Sequence, residues 1–466
     1  MKQSIKSLPA GPELRKEYKE LLRLGYPVLL TQLGIIVMSF TDTMMVGAYG
    51  VTELAAAAFV NSVMLIPLVM LSGLAGGLTP LIGALFTQGN HRETGRMTRA
   101  GLQINLIVSA IFTLLMGGIY FMLDHFGQSA EILPPAREYY LTILTTFIPQ
   151  ALFNAFSQSS NGLTDTRTPM WFILGAIVLN IIGNWLLIFG NLGCPRLGLT
   201  GAGIATSLAR FAGFTGLAMM FIFSKRYARL RDGLLNPGKL GKERFKVWVT
   251  SYPVMIQTGI ECALWSFGAV VCGWFGKIQL AAYQIVNTIG QLGFMTYISF
   301  GVAVSVRVAN FTGLGDEAMV RLSTRAGLHI ILALATVASL LMALFAHPLL
   351  SVFTPDETVI ATAEHFIIPL ILYQYLDAAQ LTFINAIRGT SQVKPLLWIA
   401  ILSYVVVGIP VLLLFSVTLG GESVGVYYSF NVALLVAAIT GWQIFRRITI
   451  SGEYTNNHNT NNQLSV

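Results

Sequence analysis

Charge is what this sequence has least of. Only 11% of its 466 residues are Asp, Glu, Lys or Arg, against roughly 25% in a soluble domain. So few charges could not cover a water-facing surface, so lipid must be the solvent. Cysteine is nearly absent as well. Cys194, Cys262 and Cys272 have neither disulfide nor metal-ligand spacing, and the last two read as small packing residues in an apolar segment. None of the six histidines has metal-ligand spacing; His347 and His365 read as interfacial residues near the outer surface. A Gly-x-x-x-x-Gly-Lys-Ser/Thr loop is missing, which excludes ATP use by this chain. Paired-Asp and His-metal motifs are missing too, which leaves prenyl-phosphate or protease chemistry without its groups. The chain reads as no enzyme, with no cofactor.

Long apolar runs fill the space that charge leaves. The sequence is 54% hydrophobic with 45 glycines, and its mean hydropathy is +0.67. Membrane helices use small residues to pack their backbones closely. A helix needs ~20 apolar residues to cross a bilayer. Such runs fall at about 24–48, 54–86, 100–122, 136–160, 170–190, 200–224, 248–275, 280–308, 326–352, 358–386, 396–419 and 423–445. The first is too long for a signal peptide. The predicted fold class is all-α: a polytopic membrane protein of twelve transmembrane helices.

The net charge of +8 sorts with topology rather than with nucleic acid. Alternate connections carry Arg15, Lys16, Lys19 and Arg23, then Arg92, Arg96 and Arg99, then the basic stretch 225–246, then Arg321, Arg325, Arg388 and Lys394, and last Arg446 and Arg447; Lys2 and Lys6 belong to the same set. The opposite connections hold mainly Glu53, Asp124, Glu131, Arg137, Arg196, Lys277, Asp356, Glu357, Glu364 and Glu422, with few cations among them. Lys and Arg mark the cytoplasmic side, so both termini are expected inside. The expected organisation is a cytoplasmic segment 1–23, a six-helix lobe 24–224, a linker 225–247, a second lobe 248–445 and a polar tail 446–466. The linker is open to a second reading, as a merely solvated connector.

Shifted by 226 residues, the sequence matches itself. Tyr26-Pro27-Val28 meets Tyr252-Pro253-Val254, Leu54-Ala55-Ala56 meets Leu280-Ala281-Ala282, and Gly89 meets Gly315. Arg99-Ala100-Gly101-Leu102 meets Arg325-Ala326-Gly327-Leu328, and Pro169 meets Pro395. Units of six spans cross in the same sense, giving two parallel repeats. Two lobes around a central cavity are expected, with substrate at the midplane and alternating access by rocking.

Ionisable groups within spans cost ~2.5–3.5 kcal/mol on insertion scales and are usually functional. Three carboxylates qualify: Asp42, Glu261 and Asp377. At the 226 offset they meet Gly268, Ile35 and Ala151, so the scaffold is duplicated and the acids are not. Gln257 and Glu261 share a helical face, as do Tyr373 and Asp377; Trp265 continues the first face, and Gln380 follows three past Asp377. Carboxylate, phenol and amide oxygens suit a hard cation or a proton relay. Asn180 and Asn184 could join Asp42, with Thr206, in a second oxygen-lined pocket. Structural readings stand beside these: Asp42 neutralising Arg210, the asparagines as interhelical glue, and Glu261 with Asp377 as a hydrogen-bonded pair. Together with many Phe and Met residues, unpaired acids favour bulky lipophilic cations.

At this point the chain resembles the multidrug and toxic compound extrusion (MATE) transporters, in their bacterial NorM-like branch, over residues 20–445. The resemblance lies in Gln32 with Asp42-Thr43-Met44-Met45-Val46-Gly47, in Gly162-Leu163-Thr164-Asp165-Thr166-Arg167-Thr168-Pro169, and in Pro253, Gln257 and Glu261. Arg307-Val308 with Gly313-Leu314-Gly315, and Tyr373-Gln374 with Asp377, Gln380, Arg388 and Gly389, complete it. It implies export of cationic drugs by a monomer in the bacterial inner membrane, in exchange for sodium ions or protons. It also implies a sodium or proton site at Glu261, Tyr373 and Asp377, matching first-lobe positions at Asp42, Asn180, Asn184 and Thr206, and Gln284 on the cavity wall. Asn385 departs from the family's glycine, and the loop Gly389-Thr390-Ser391-Gln392 lacks the acid that Asp165 supplies in the first half. The alternatives are a lipid-linked oligosaccharide flippase, which would favour Arg in the cavity, and another twelve-span carrier of the major facilitator type. The partners implied are small organic cations and membrane lipids, with no nucleic acid.

Overall fold

The computed structural model describes residues 11–451, and among them every regular element is helical. Lys2, Lys6 and the tail from Gly452 lie outside the described residues. The first half runs α1 (Gly11–Tyr49), α2 (Val51–Gly76), α3 (Leu78–Thr87), α4 (His91–Tyr120), α5 (Leu133–Leu144), α6 (Phe147–Gly162), α7 (Arg167–Phe189) and α8 (Gly198–Phe223). A short α9 (Arg231–Leu235) precedes α10 (Gly241–Trp274), α11 (Lys277–Leu314), α12 (Glu317–Leu344), α13 (Ala346–Ser351), α14 (Glu357–Glu364) and α15 (Ile367–Gly389). Last come α16 (Lys394–Ala400), α17 (Ile409–Leu413) and α18 (Glu422–Ser451).

Among the described residues, eleven helices are long and apolar enough to span a bilayer. The expected span at 136–160 is missing from that set because it is broken into α5 and α6. Threonine chemistry makes the break: the hydroxyls of Thr142, Thr145 and Thr146 each turn back onto the carbonyl three residues earlier. Such bonds offer the backbone an alternative to the helical ladder, and Pro149 in the next turn brings no N–H. Counting this broken pair gives the twelve crossings that the sequence predicts. Other expected spans are also less regular than drawn. The run 54–86 bends at Gly77, where a Cβ would stand 2.6 Å from the Ser251 Cα; only glycine allows α10 that close. The run 396–419 contains two π-helical stretches, Ile401–Gly408 and Leu414–Thr418, around Pro410, which cannot donate to the preceding turn. Helix α1 begins at Gly11 and α18 continues to Ser451, so helix extends beyond the expected lobe edges at 24 and 445.

Contacts divide the chain into two units: Leu30–Met255, and the residues up to Leu29 together with Ile256 onward. The cut falls within α1 and α10, not at the linker. In the Leu30–Met255 unit, α7 packs on α8, and α6 lies against α3, α4 and α8. The basic segment after α8 is no loose connector. Tyr227, Leu230 and Leu234 enter the apolar core with Phe156 and Phe221, and the Tyr227 ring stacks on Phe221 at 4.1 Å. Arg226 pairs with Asp165 at 3.0 Å, and the Tyr227 hydroxyl donates to the same carboxylate at 2.7 Å. Burial pushes the Tyr227 phenol up to about 12, so it remains a donor at neutral pH. The loop carrying Asp165 is therefore stitched to the segment after α8.

In the other unit, α15 lies against α11, α12 and α18. Asn385 donates to the Leu381 carbonyl, and its amide occupies room left by Gly301. That glycine absorbs the departure noted at Asn385. The start of α1 is fastened here by Glu17, 1% exposed, which accepts from Arg307 Nε at 2.8 Å, Arg307 Nη2 at 2.7 Å and Ser323 Oγ at 2.6 Å. Removing one member of a buried pair strands the other charge. Glu17→Ala should therefore destabilise the protein by on the order of 3 kcal/mol, while Glu17→Ala with Arg307→Ala should cost less than the two singles added. Thermal unfolding in detergent measures this; strictly additive losses would show that the pair is uncoupled.

Candidate cation-coupling sites

In the Leu30–Met255 unit the sequence-predicted set converges. Asn180 and Asn184, one turn apart on α7, are fully buried, and Thr206 on α8 is buried beside them. Asn184 Nδ2 donates to Asp42 Oδ1 and, at 3.4 Å, to Asn180 Oδ1. Asn180 Nδ2 donates to Thr206 Oγ1 at 3.1 Å. Thr206 spends its own proton on the Ala202 carbonyl at 2.9 Å, so its oxygen can only accept from the amide. These bonds fix every amide direction and leave Asn184 Oδ1 buried with no hydrogen-bond partner. Carboxylate and amide oxygens gathered this way suit a hard cation.

Arg210 does not close a salt bridge onto Asp42 among the described residues. Its guanidinium instead donates to Thr146 Oγ1, at the break between α5 and α6. Arg210 and Tyr139 nonetheless lie within electrostatic reach of Asp42.

In the second unit, Glu261 on α10 and Asp377 on α15 feel one another's charge. Gln257 Nε2 donates to Glu261 Oε2 at 2.8 Å, and the Tyr404 hydroxyl also hydrogen-bonds Glu261. Gln380 Nε2 holds the Tyr404 oxygen at 3.0 Å. Asp377 is 1% exposed, yet neither of its carboxylate oxygens has a hydrogen-bond partner, and Glu261 Oε1 has none either. Glu261 and Asp377 therefore share no hydrogen bond. An aromatic wall adjoins them: Tyr373 meets Trp265 edge-on at 5.6 Å and Tyr427 at 6.1 Å, and Trp265 meets Phe430 at 4.2 Å. Ring faces of this kind attract cations. Gln284 on α11 is exposed, and no hydrogen bond joins it to this cluster among the described residues.

Two participants escaped the sequence reading. Tyr404 sits in the first π-helical stretch, whose extra residue per turn re-aims side chains and recurs at functional sites. A Ser-Tyr pair inside an apolar run, shortly before Gly408-Ile409-Pro410, was the available signal. Arg388 was quoted only as part of a motif, but it donates to Gln257 Oε1 at 3.5 Å and lies within electrostatic reach of Glu261.

The family model described as MatE matches residues 27–186 and again 253–414. The matches begin 226 residues apart and together cover more than half the chain. The chain belongs to the MatE family. It is therefore a membrane transporter and not an enzyme, and the two matches coincide with the repeat. Among curated proteins it is similar to the multidrug resistance protein PmpM of Pseudomonas aeruginosa, 29% identical over 87% of this chain and 85% of that one. It is also similar to the multidrug resistance protein NorM of Vibrio cholerae, 26% identical over 91% of this chain and 94% of that one. Two solved structures share the fold. A MOP superfamily transporter from Pyrococcus furiosus superposes with a TM-score of 0.85 at 17% identity, covering 96% of this chain and all of the other. The bent form of the Vibrio cholerae MATE transporter VcmN gives 0.80 at 17% identity, covering 95% and 99%.

A carboxylate that accepts no hydrogen bond contributes nothing to the fold by being charged. Asp377→Asn should leave the thermal midpoint of this MatE protein unchanged or higher, because it replaces an unsatisfied acid by a neutral isostere. A loss of more than about 1 kcal/mol in unfolding experiments would mean that Asp377 is a structural acceptor after all.

Proposed function

We propose that this chain is a secondary active multidrug efflux antiporter of the bacterial inner membrane, exporting organic cations in exchange for sodium ions or protons. The observation that carries the reading is Asp377, buried within a membrane-spanning helix with both carboxylate oxygens unpartnered. Such a group is expensive to insert and gives the fold no bond in return. A sodium ion would find carboxylate and phenol oxygens at Asp377, Glu261 and Tyr373; a proton would find the same carboxylates. An organic cation would be drawn by those charges and by the faces of Trp265 and Tyr373. Coupling then follows from competition: occupancy by the small cation cancels the charge that holds the drug, which is released. Asp42 with Asn180, Asn184 and Thr206 forms a separate acceptor set in the other unit.

The names of the curated relatives support multidrug efflux. The distribution of Lys and Arg supports cytoplasmic termini. Nothing in the reading requires more than one copy of the chain.

Ethidium efflux from proteoliposomes, with sodium and proton gradients imposed separately, tests the proposal. One of the two gradients should drive efflux. Asp377→Asn and Glu261→Gln should each slow it by roughly tenfold or more, the equivalent of about 1.4 kcal/mol. Unchanged transport in both variants would remove the assignment.

A further inference from the structure

The basic face of the Leu30–Met255 unit holds two kinds of cation. Arg92 is paired with Asp232 at 3.0 Å, Arg96 with Glu93 at 3.5 Å and with Glu243, and Arg226 with Asp165 at 3.0 Å. Arg99, Lys239 and Arg244 make no salt bridge among the described residues. These three line one shallow, largely open hollow of about 360 Å³, whose lining also includes Gln103, Gly238 and Gly241 and no carboxylate.

The cavity is held in shape by the cations that are paired. Arg96 donates to the Lys239 carbonyl at 2.9 Å and pairs with Glu243, which is not part of the lining. Arg244 Nε donates to the Leu240 carbonyl at 3.3 Å, pinning its guanidinium over the loop. Gly241 opens the 34-residue α10, so the amides of its first turn add partial positive charge at the cavity floor. Three positive side chains facing one hollow without an acid repel one another unless an anion joins them. Guanidinium forks suit phosphate oxygens in particular.

The surroundings say which phosphate. Leu106 and Ile107, one turn along α4 from Gln103, are 43% and 49% exposed. On α10, Phe245 is 70% exposed and Trp248, one turn beyond Arg244, is 38% exposed. On each helix the residues that line the hollow are followed within one turn by exposed apolar side chains, with an indole on α10, the pattern of a membrane interface. We propose that this cavity binds the phosphate of an anionic phospholipid, with Arg99, Lys239 and Arg244 as its ligands and the acyl chains lying along Leu106, Ile107 and Trp248. Basic pockets at the ends of membrane helices have the chemistry for such headgroups. None of Asp42, Glu261 and Asp377 is among its lining residues.

The test uses the full chain purified in detergent and titrated with phosphatidylglycerol or phosphatidylcholine, bound lipid being counted by native mass spectrometry. Phosphatidylglycerol should be retained at least tenfold more strongly than phosphatidylcholine. The triple variant Arg99→Gln, Lys239→Gln, Arg244→Gln should lose that preference, and Arg92→Gln, a paired cation on the same face, should keep it. A preference that survives in the triple variant overturns the proposal. So does displacement of the lipid by millimolar inorganic phosphate, which would make the site one for free phosphate. A reading independent of the variants' folding comes from the unaltered site: brominated phosphatidylglycerol should quench tryptophan fluorescence more than brominated phosphatidylcholine, and Trp248→Phe should abolish the difference. Equal quenching by the two lipids also overturns the proposal.

Discussion

The constraint on which the rest depends is the cost of an ionised carboxylate in a hydrocarbon environment. A membrane helix tolerates one only when a counter-charge, a set of donors or water compensates it. Glu17 shows the compensated case, with three donors on its two oxygens, two of them from one guanidinium. Asp377 shows the opposite, with two oxygens and no donor. The same chemical group thus serves two purposes, set by its surroundings. Glu17 closes a structural joint, and Asp377 takes no part in one.

Glu261 lies between these extremes. One of its oxygens is held by Gln257 and reached by Tyr404, while Oε1 stays unpartnered. Gln257 in turn accepts from Arg388. A positive charge therefore stands behind the amide that touches the acid, close enough to be felt without occupying the carboxylate. Asp42 is arranged differently: Asn184 touches it, and Arg210 is felt from its anchorage on a threonine hydroxyl, that of Thr146, with no amide linking the two among the described residues. The field of the cation moderates the cost of the acid, and in Glu261 one oxygen, Oε1, stays without a partner.

Much of this was legible in the sequence because lipid imposes simple rules. Twenty apolar residues make a crossing, Lys and Arg mark a side, and an acid within a span is exceptional; those rules located the helices and Asp42, Glu261 and Asp377. The constant 226-residue offset exposed the repeat through Gly89 and Gly315, both of which adopt positive φ in the structure, at 74° and 68°. What escaped was local departure from the regular helix. The Thr145–Thr146 break, the Gly77 bend and the π-helical stretches depend on which carbonyl a hydroxyl chooses, or how closely a neighbouring backbone approaches, and hydropathy is blind to both. Tyr404, which lies in such a π-helical stretch beside Glu261, is of this kind. The docking of the segment after α8 was hidden too: its basic composition resembles a solvated loop, while Tyr227, Leu230 and Leu234 supply the apolar face that anchors it.

The repeat also separates what duplication preserves from what it leaves free. Backbone devices recur in both halves. Thr164 and Ser391, non-glycine residues at φ 61° and 63°, each stand two residues after a glycine that ends a helix. A broken helix precedes both, at Thr145–Thr146 and at His365–Phe366. Side-chain chemistry does not recur. Asp165, which binds Arg226 and Tyr227, has no acidic counterpart beside Ser391, and the two units place their intramembrane acids on different helices, α1 in one and α10 and α15 in the other. Packing and turns constrain both copies alike, because each must satisfy its backbone in lipid. An acid that pairs, as Glu17 and Asp165 do, serves the fold; Asp377 pairs with nothing among the described residues. The asymmetry accords with the proposal that such unpaired carboxylates answer to a ligand and not to the fold.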